Sequence, residues 1–176
     1  MFPDLYNEIA ARIAANLSEI LWCDLWHEQV AWLEEELPFP APAVFIAFHV
    51  TGVEDAGTLV QQCNLQIDFY LFFETFADTY RGSANCGDTL EFLKTLTRLH
   101  ALFHGRSGQH FSAMRRVDVA PEETGNAGNL YRISFECVAT DYSAQTVYDE
   151  GAFPDVAISR EPIPERVADT DPLYVM

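Results

Sequence analysis

Residues 105–144 read GRSGQHFSAMRRVDVAPEETGNAGNLYRISFECVATDYSA. Two strand-like runs flank a loop rich in Glu, Gly and Asn. In the second run Tyr131, Ile133, Phe135 and Cys137 alternate with Arg132, Ser134 and Glu136. A period of two sends successive side chains to opposite sides of an extended chain, so this run is a strand with one buried face. Arg115 and Arg116 are neighbours in the first run and therefore point to opposite faces. One can serve the exposed side of the sheet and the other a neighbouring molecule; surface solvation is the plainer reading for at least one. The block is strongly built and holds no reactive cluster, so it reads as scaffold.

Working back from it, Phe92, Leu96, Leu99 and Phe103 line one side of a helix that starts at Asp88. Asp88 and Glu91 fit an acidic variant of a capping box, and Gly105 suits the helix-ending position. RGSANCG at 81–87 and residues 51–59, with Gly52 and Gly57, read as loops. The strongest strand spans 62–74, where Leu65, Ile67, Phe69, Leu71 and Phe73 alternate with Gln66, Asp68, Tyr70 and Phe72. Another covers 43–50, with Val44, Ile46, Phe48 and Val50 on one face, and a first strand is expected at 28–33. Between these two, Pro38, Pro40 and Pro42 break the chain. Pro3 and Asp4 open the first helix, whose stripe is Leu5, Ile9, Ile13, Leu17 and Leu21. The order α-β-β-β-α-β-β predicts an α+β fold, with both helices on one face of a mostly antiparallel sheet. A single domain is expected over 1–144, followed by an extended C-terminal tail at 145–176 broken by Pro154, Pro162, Pro164 and Pro172.

The chain has 176 residues, of which 49% are hydrophobic, enough for one domain with a real core. Its formal charge of −17 disfavours binding to nucleic acid or to an anionic membrane, since both rely on Lys and Arg. No apolar run is long enough to span a bilayer, and the N-terminal stretch lacks a secretory pattern. The cations are Arg apart from Lys94, a weak pointer to protein contacts. Cys23, Cys63, Cys86 and Cys137 are scattered without a C-x-x-C pair, so reduced thiols are expected, with Cys63 and Cys137 as small core residues.

Candidate chemistry is sparse. His100 and His104 lie four apart on the second helix and His110 follows, a spacing that could hold zinc. However, Ala101, Leu102 and Phe103 lie between them in place of an H-E-x-x-H pattern, and a surface pair near a helix C-terminus accounts for the same residues. Glu34, Glu35 and Glu36 are consecutive and point different ways, as a solvated charge run does. His49 could act as a base, but no Ser or Cys nucleophile accompanies it in a known motif. GRSGQ at 105–109 follows a helix, whereas phosphate cradles precede one. Trp22, Trp26 and Trp32 cluster after the first helix, as core or as an aromatic contact patch. No cofactor and no catalytic residue is expected.

Taken together, the first helix, DLWHEQVAWLEEELPFPAPAVFIAF (24–48), NLQIDFYLFFET (64–75), the helix at 88–104, GRSGQHFSAMRRVD and NLYRISFECVATDYSA resemble the tail terminator, or tail completion, proteins of tailed bacteriophages and prophages. The resemblance covers about residues 3–144 and is one of pattern and order. It implies a structural, non-enzymatic subunit of a homo-oligomeric ring, commonly a hexamer. Such a ring caps the tail tube, meets tube and head–tail connector proteins, and surrounds the DNA channel. Location in the virion neck follows, with the host cytoplasm during assembly. Interface residues are then expected at Arg115, Arg116, Glu122, Glu123, Trp26 and Trp32, with sheet edges and hairpin loops making the ring contacts. The alternative class is an acidic monomeric module of inhibitor or immunity type that masks a basic surface.

Overall fold

In a computed structural model, residues 1–32, 39–74, 80–84, 86–124 and 128–146 are described, with the backbone alone at 31, 32, 88 and 89. The elements are α1 (Phe2–Asn16), β1 (Trp22–Leu25), a 3-10 turn (Gln29–Trp32), β2 (Ala43–Gly57), β3 (Val60–Phe73), α2 (Cys86–Phe103), β4 (Arg115–Glu122) and β5 (Asn129–Asp141). The five strands form one sheet in the order β1-β2-β3-β5-β4. β1 runs parallel to β2, and every other pair is antiparallel. The fold is α+β with the expected α-β-β-β-α-β-β order. The expected tail, from residue 147 onward, lies outside the described residues.

Alternation decides which side of the sheet meets the helices. Leu65, Ile67, Phe69 and Leu71 of β3 pair in register with Cys137, Phe135, Ile133 and Tyr131 of β5. All eight belong to or border one apolar cluster that also holds Leu5, Ile9 and Ile13 of α1 and Phe92, Leu99 and Phe103 of α2. Phe69 sits at its centre, stacked on Phe103 at 4.8 Å and edge-on to Phe135 at 5.6 Å between ring centroids. A second, smaller cluster lies on the opposite face, where Phe45, Phe72 and Leu130 are covered by Val30 and Phe39.

Several boundaries differ from expectation. The stretch 28–33 is not a strand: Glu28 has φ 65°, and Gln29–Trp32 is a 3-10 turn. The Gln29 side chain accepts the His27 N–H at 2.9 Å and donates to the Leu25 carbonyl at 2.8 Å, and these local bonds compete with pairing. The strand that pairs is Trp22–Leu25, with Trp22 opposite Ala43. Leu21 falls outside the helical stripe and is 58% exposed, because α1 stops at Asn16 and Leu17 turns away at φ −126°. Residues 51–59 are not a loop. β2 runs on to Gly57 and turns at Thr58–Leu59, and Gly57 faces Val60. Gly52 and Gly57 instead flank bulges, and a Cβ on Gly52 would lie 3.3 Å from Asn64 Nδ2. α2 begins at Cys86, so Asp88 lies within its first turn and is not the capping residue. Gly105 takes the expected left-handed conformation (φ 71°), but its N–H donates to the Met114 carbonyl and so leads the chain toward β4.

Candidate functional site

The face of the sheet opposite the helices carries a polar layer. Asp68 is 3% exposed and Ser134 1% exposed, although α1 and α2 pack on the other side. Asp68 lies in register between Ala47 and Ser134. Gln66 Nε2 donates to both of its oxygens at 3.0 and 3.2 Å, and His49 Nε2 is 3.2 Å from Oδ2. Next along the strands is Arg132, opposite Tyr70. Its Nε bonds Glu122 at 2.6 Å, Nη2 meets Asp118 at 3.2 Å, and Nη1 donates to Ser134 Oγ at 3.0 Å. The bond to Glu122 raises the guanidinium pKa against the opposing effect of burial. Burial, then the charge of Asp68, pushes the Tyr70 phenol up. Trp26 stacks flat on Tyr70 at 4.0 Å. The layer is mutually satisfied, which is what burial of polar groups requires.

Could it do chemistry? A His beside a buried carboxylate is half of a relay for a nucleophile. Ser134 sits on β5, with β3 between it and His49 on β2. Two strand spacings make about 10 Å, far beyond hydrogen-bond reach. Its hydroxyl is also engaged by Arg132. The geometry is that of a fixed surface.

The expected interface residues divide between the two sides. Arg115 lies on the polar side, paired with Glu136 at 2.7 Å, and Glu122 and Trp26 share that side through Arg132 and Tyr70. Arg116 aligns with Phe135 and so faces the helices, as adjacency on a strand requires. Its N–H donates to His104 Nδ1 at 3.1 Å. Glu123 is exposed just past the end of β4. Trp32 closes the 3-10 turn, and its side chain lies outside the described residues, as do residues 33–38 and 125–127. Trp22 stands on β1, 42% exposed, apart in role from the stacked Trp26.

The His100 and His104 rings are 4.7 Å apart, and burial, then Arg116 and His104, lower the His100 pKa. His110 turns instead to Glu8, with Nδ1 2.9 Å from Oε2. Among the described residues, no three His, Cys, Asp or Glu side chains are grouped to hold a metal. All four cysteines are free, and burial pushes the thiols of Cys23 and Cys137 up to about 11, Cys23 also through Asp24. Such thiols carry almost no thiolate at neutral pH.

Two further features, besides the Asp68 layer, gave no sequence signal. The GRSGQ loop is an anion cradle after all, filled by Glu8 from α1. Glu8 accepts the N–H groups of Gln109 at 2.8 Å and His110 at 3.0 Å, and a Cβ on Gly108 would collide with Oε1. The partners are about a hundred residues apart in the chain, so spacing could not join them. The second feature is an apolar groove of 710 Å³ between the start of α1 and β2, lined by Phe2, Tyr6, Leu25, Trp26, Phe48 and His49 among others. Among the described residues no helix is long and apolar enough to cross a membrane. No known protein family matches the chain, and no curated protein sequence matches it either.

Proposed function

We propose that this chain is a structural subunit of tail-terminator type, assembling as a ring, commonly a hexamer, that caps a phage or prophage tail tube and joins it to the head. The observation that carries this reading is the open face of the sheet. In register it presents Asp24, Glu54, Asp118, Glu122 and Glu136 against Arg115 and Arg132, with Asp68 buried among them. A rigid wall with excess carboxylate repels phosphate and lets DNA pass without adhering. The layer is also held by directional bonds among its own side chains, with Trp26 stacked on Tyr70.

On this reading the partners are further copies of the chain, the tube protein and the head–tail connector proteins, with no cofactor and no catalysis. The site of action is the virion neck, reached by assembly in the host cytoplasm. Electron microscopy of the protein mixed with tail tubes, together with native mass measurement, tests it. Rings seated on tube ends are the expected result. The same acidic face also fits a monomeric inhibitor that covers a basic surface. A chain that stays monomeric at high concentration and leaves tube ends bare would replace the first reading with that one.

A further inference from the structure

We propose that the rings close by strand addition: the outer edge of β4 in one copy pairs, antiparallel, with the uncovered stretch of β2, residues 47–57, in the next. This rests on the ring reading above and names its interface. Among the described residues each edge of the sheet is open over part of its length, and the two are unlike. On one side β1 covers β2 only at Ala43–Ile46, and the Trp26 N–H bond to the Ile46 carbonyl at 2.9 Å is the last cover. From Ala47 to Gly57 no strand lies outside β2 among the described residues. On the other side β4 is outermost from Val117 to Glu122, a stretch that includes Pro121; where the strand begins, the segment 104–106 bonds to Met114 and His104 takes the Arg116 N–H. Open strand edges are templates for pairing with another chain. Two different edges on one molecule make a head-to-tail contact, the kind that generates rings.

Direction, packing and charge agree. Three antiparallel steps separate β2 from β4, so β4 runs opposite to β2. A copy that continues the sheet head-to-tail therefore brings β4 antiparallel to the next β2. On the helix side, Val119 of β4 is 42% exposed, and it would lie toward the apolar groove formed by Phe2, Tyr6 and Phe48, with Val50, 44% exposed, beside it. The antiparallel arrangement also puts the Arg115–Arg116 end of β4 beside the hairpin end of β2, which carries Glu54 and Asp55. Each pair matches by face. Arg115 and Glu54 lie on the open side; Arg116, in register with Phe135, and Asp55, in register with Gln61, lie on the helix side. A second copy of this chain supplies both the cations and the acids, and opposite charges meeting across an edge fix register and exclude other pairings.

Charge reversal tests this. R115E/R116E and E54R/D55R are each expected to weaken self-association, and capping of tail tubes, by roughly tenfold or more. All four changes in one chain are expected to restore rings, because every copy offers both edges. Circular dichroism and thermal melting of each variant check that the monomer remains folded. Independently, Val119→Cys combined with Val50→Cys, or with Phe48→Cys, should give on oxidation a ladder of cross-linked species ending in a closed ring, which the single variants lack. Rings that survive both reversals and yield no ladder overturn the edge pairing while leaving the ring reading intact. A wild-type chain that never assembles, with or without tubes, overturns both.

Discussion

The two faces of β3 show how one strand serves two purposes. Its odd-numbered residues, Leu65, Ile67, Phe69 and Leu71, are at most 1% exposed and meet α1 and α2 through apolar contact alone. Its even-numbered residues, Gln66, Asp68 and Tyr70, are held by hydrogen bonds, charge and the stacked Trp26. On the covered face a substitution leaves a cavity; on the open face it leaves a partner unsatisfied. The first kind of loss scales with volume, the second with desolvation. The covered face therefore supplies most of the folding free energy. The open face depends instead on the hydrogen bonds and ion pairs among its own side chains.

The sharpest way to break that division is at the centre of the covered face. Phe69→Ala removes a side chain that is 0% exposed and touches aromatic rings from α2 and β5. A loss of about 3–5 kcal/mol is expected in denaturant unfolding. A loss below about 1 kcal/mol would mean that the core lies elsewhere. On the open face, Asp68→Ala strands Gln66 and leaves His49 without its carboxylate, for an expected cost of about 1–3 kcal/mol. If Asp68→Ala proves costlier than Phe69→Ala, the comparison is inverted.

Much of this division is legible in the sequence, because period-two alternation survives translation into geometry. The 62–74 and 131–137 patterns mark the sides correctly, and the stripes of both helices do so through Leu17 and through Phe103. What fails is local. Residues 28–33 are apolar enough for a strand, but Gln29 bonds its neighbours and diverts the backbone. Gly52 and Gly57 look like loop residues but are paired within β2 beside bulges, because pairing with β3 outweighs their propensity. The expected Arg115 and Arg116 split is correct, since it needs only alternation. The Glu8 cradle, the Asp68 layer and the groove depend on contacts between distant segments, and no spacing rule reports those.

The Glu8 cradle joins α1 to the loop before β4, and its cost should fall next. Gly108→Ala drives a methyl group into Glu8 Oε1, and an expected loss of about 1–2 kcal/mol reflects either a displaced carboxylate or a shifted loop. Acid provides a gentler version. Burial acts to raise the Glu8 pKa, but bonds from the Gln109 N–H and from His110 outweigh it and hold the group below its ordinary 4.5. A depressed folded pKa means that this contribution is complete above about 4.5 and is lost as pH falls through the folded value. Glu8→Gln should therefore be less stable than the wild type at neutral pH, and the gap should close below pH 4.5. A gap unchanged by acid would show that the carboxylate's charge contributes nothing.

The smallest folding effect should come from the residue with the largest proposed role in assembly. Arg115 and Glu136 form a short bond at 2.7 Å, yet the two side chains are 72% and 49% exposed. Water and salt screen such a pair, and the ordering of two long side chains offsets what remains, so Arg115→Ala should change the unfolding free energy by about 0.5 kcal/mol or less. Self-association should fall measurably in the same variant, because Arg115 then no longer meets Glu54 of the next copy. A variant that folds as before but assembles poorly separates the two tasks of the sheet at one residue. A variant that loses stability and assembly together would place Arg115 within the folding core of this face, and the division between covered and open sides would have to be redrawn around it.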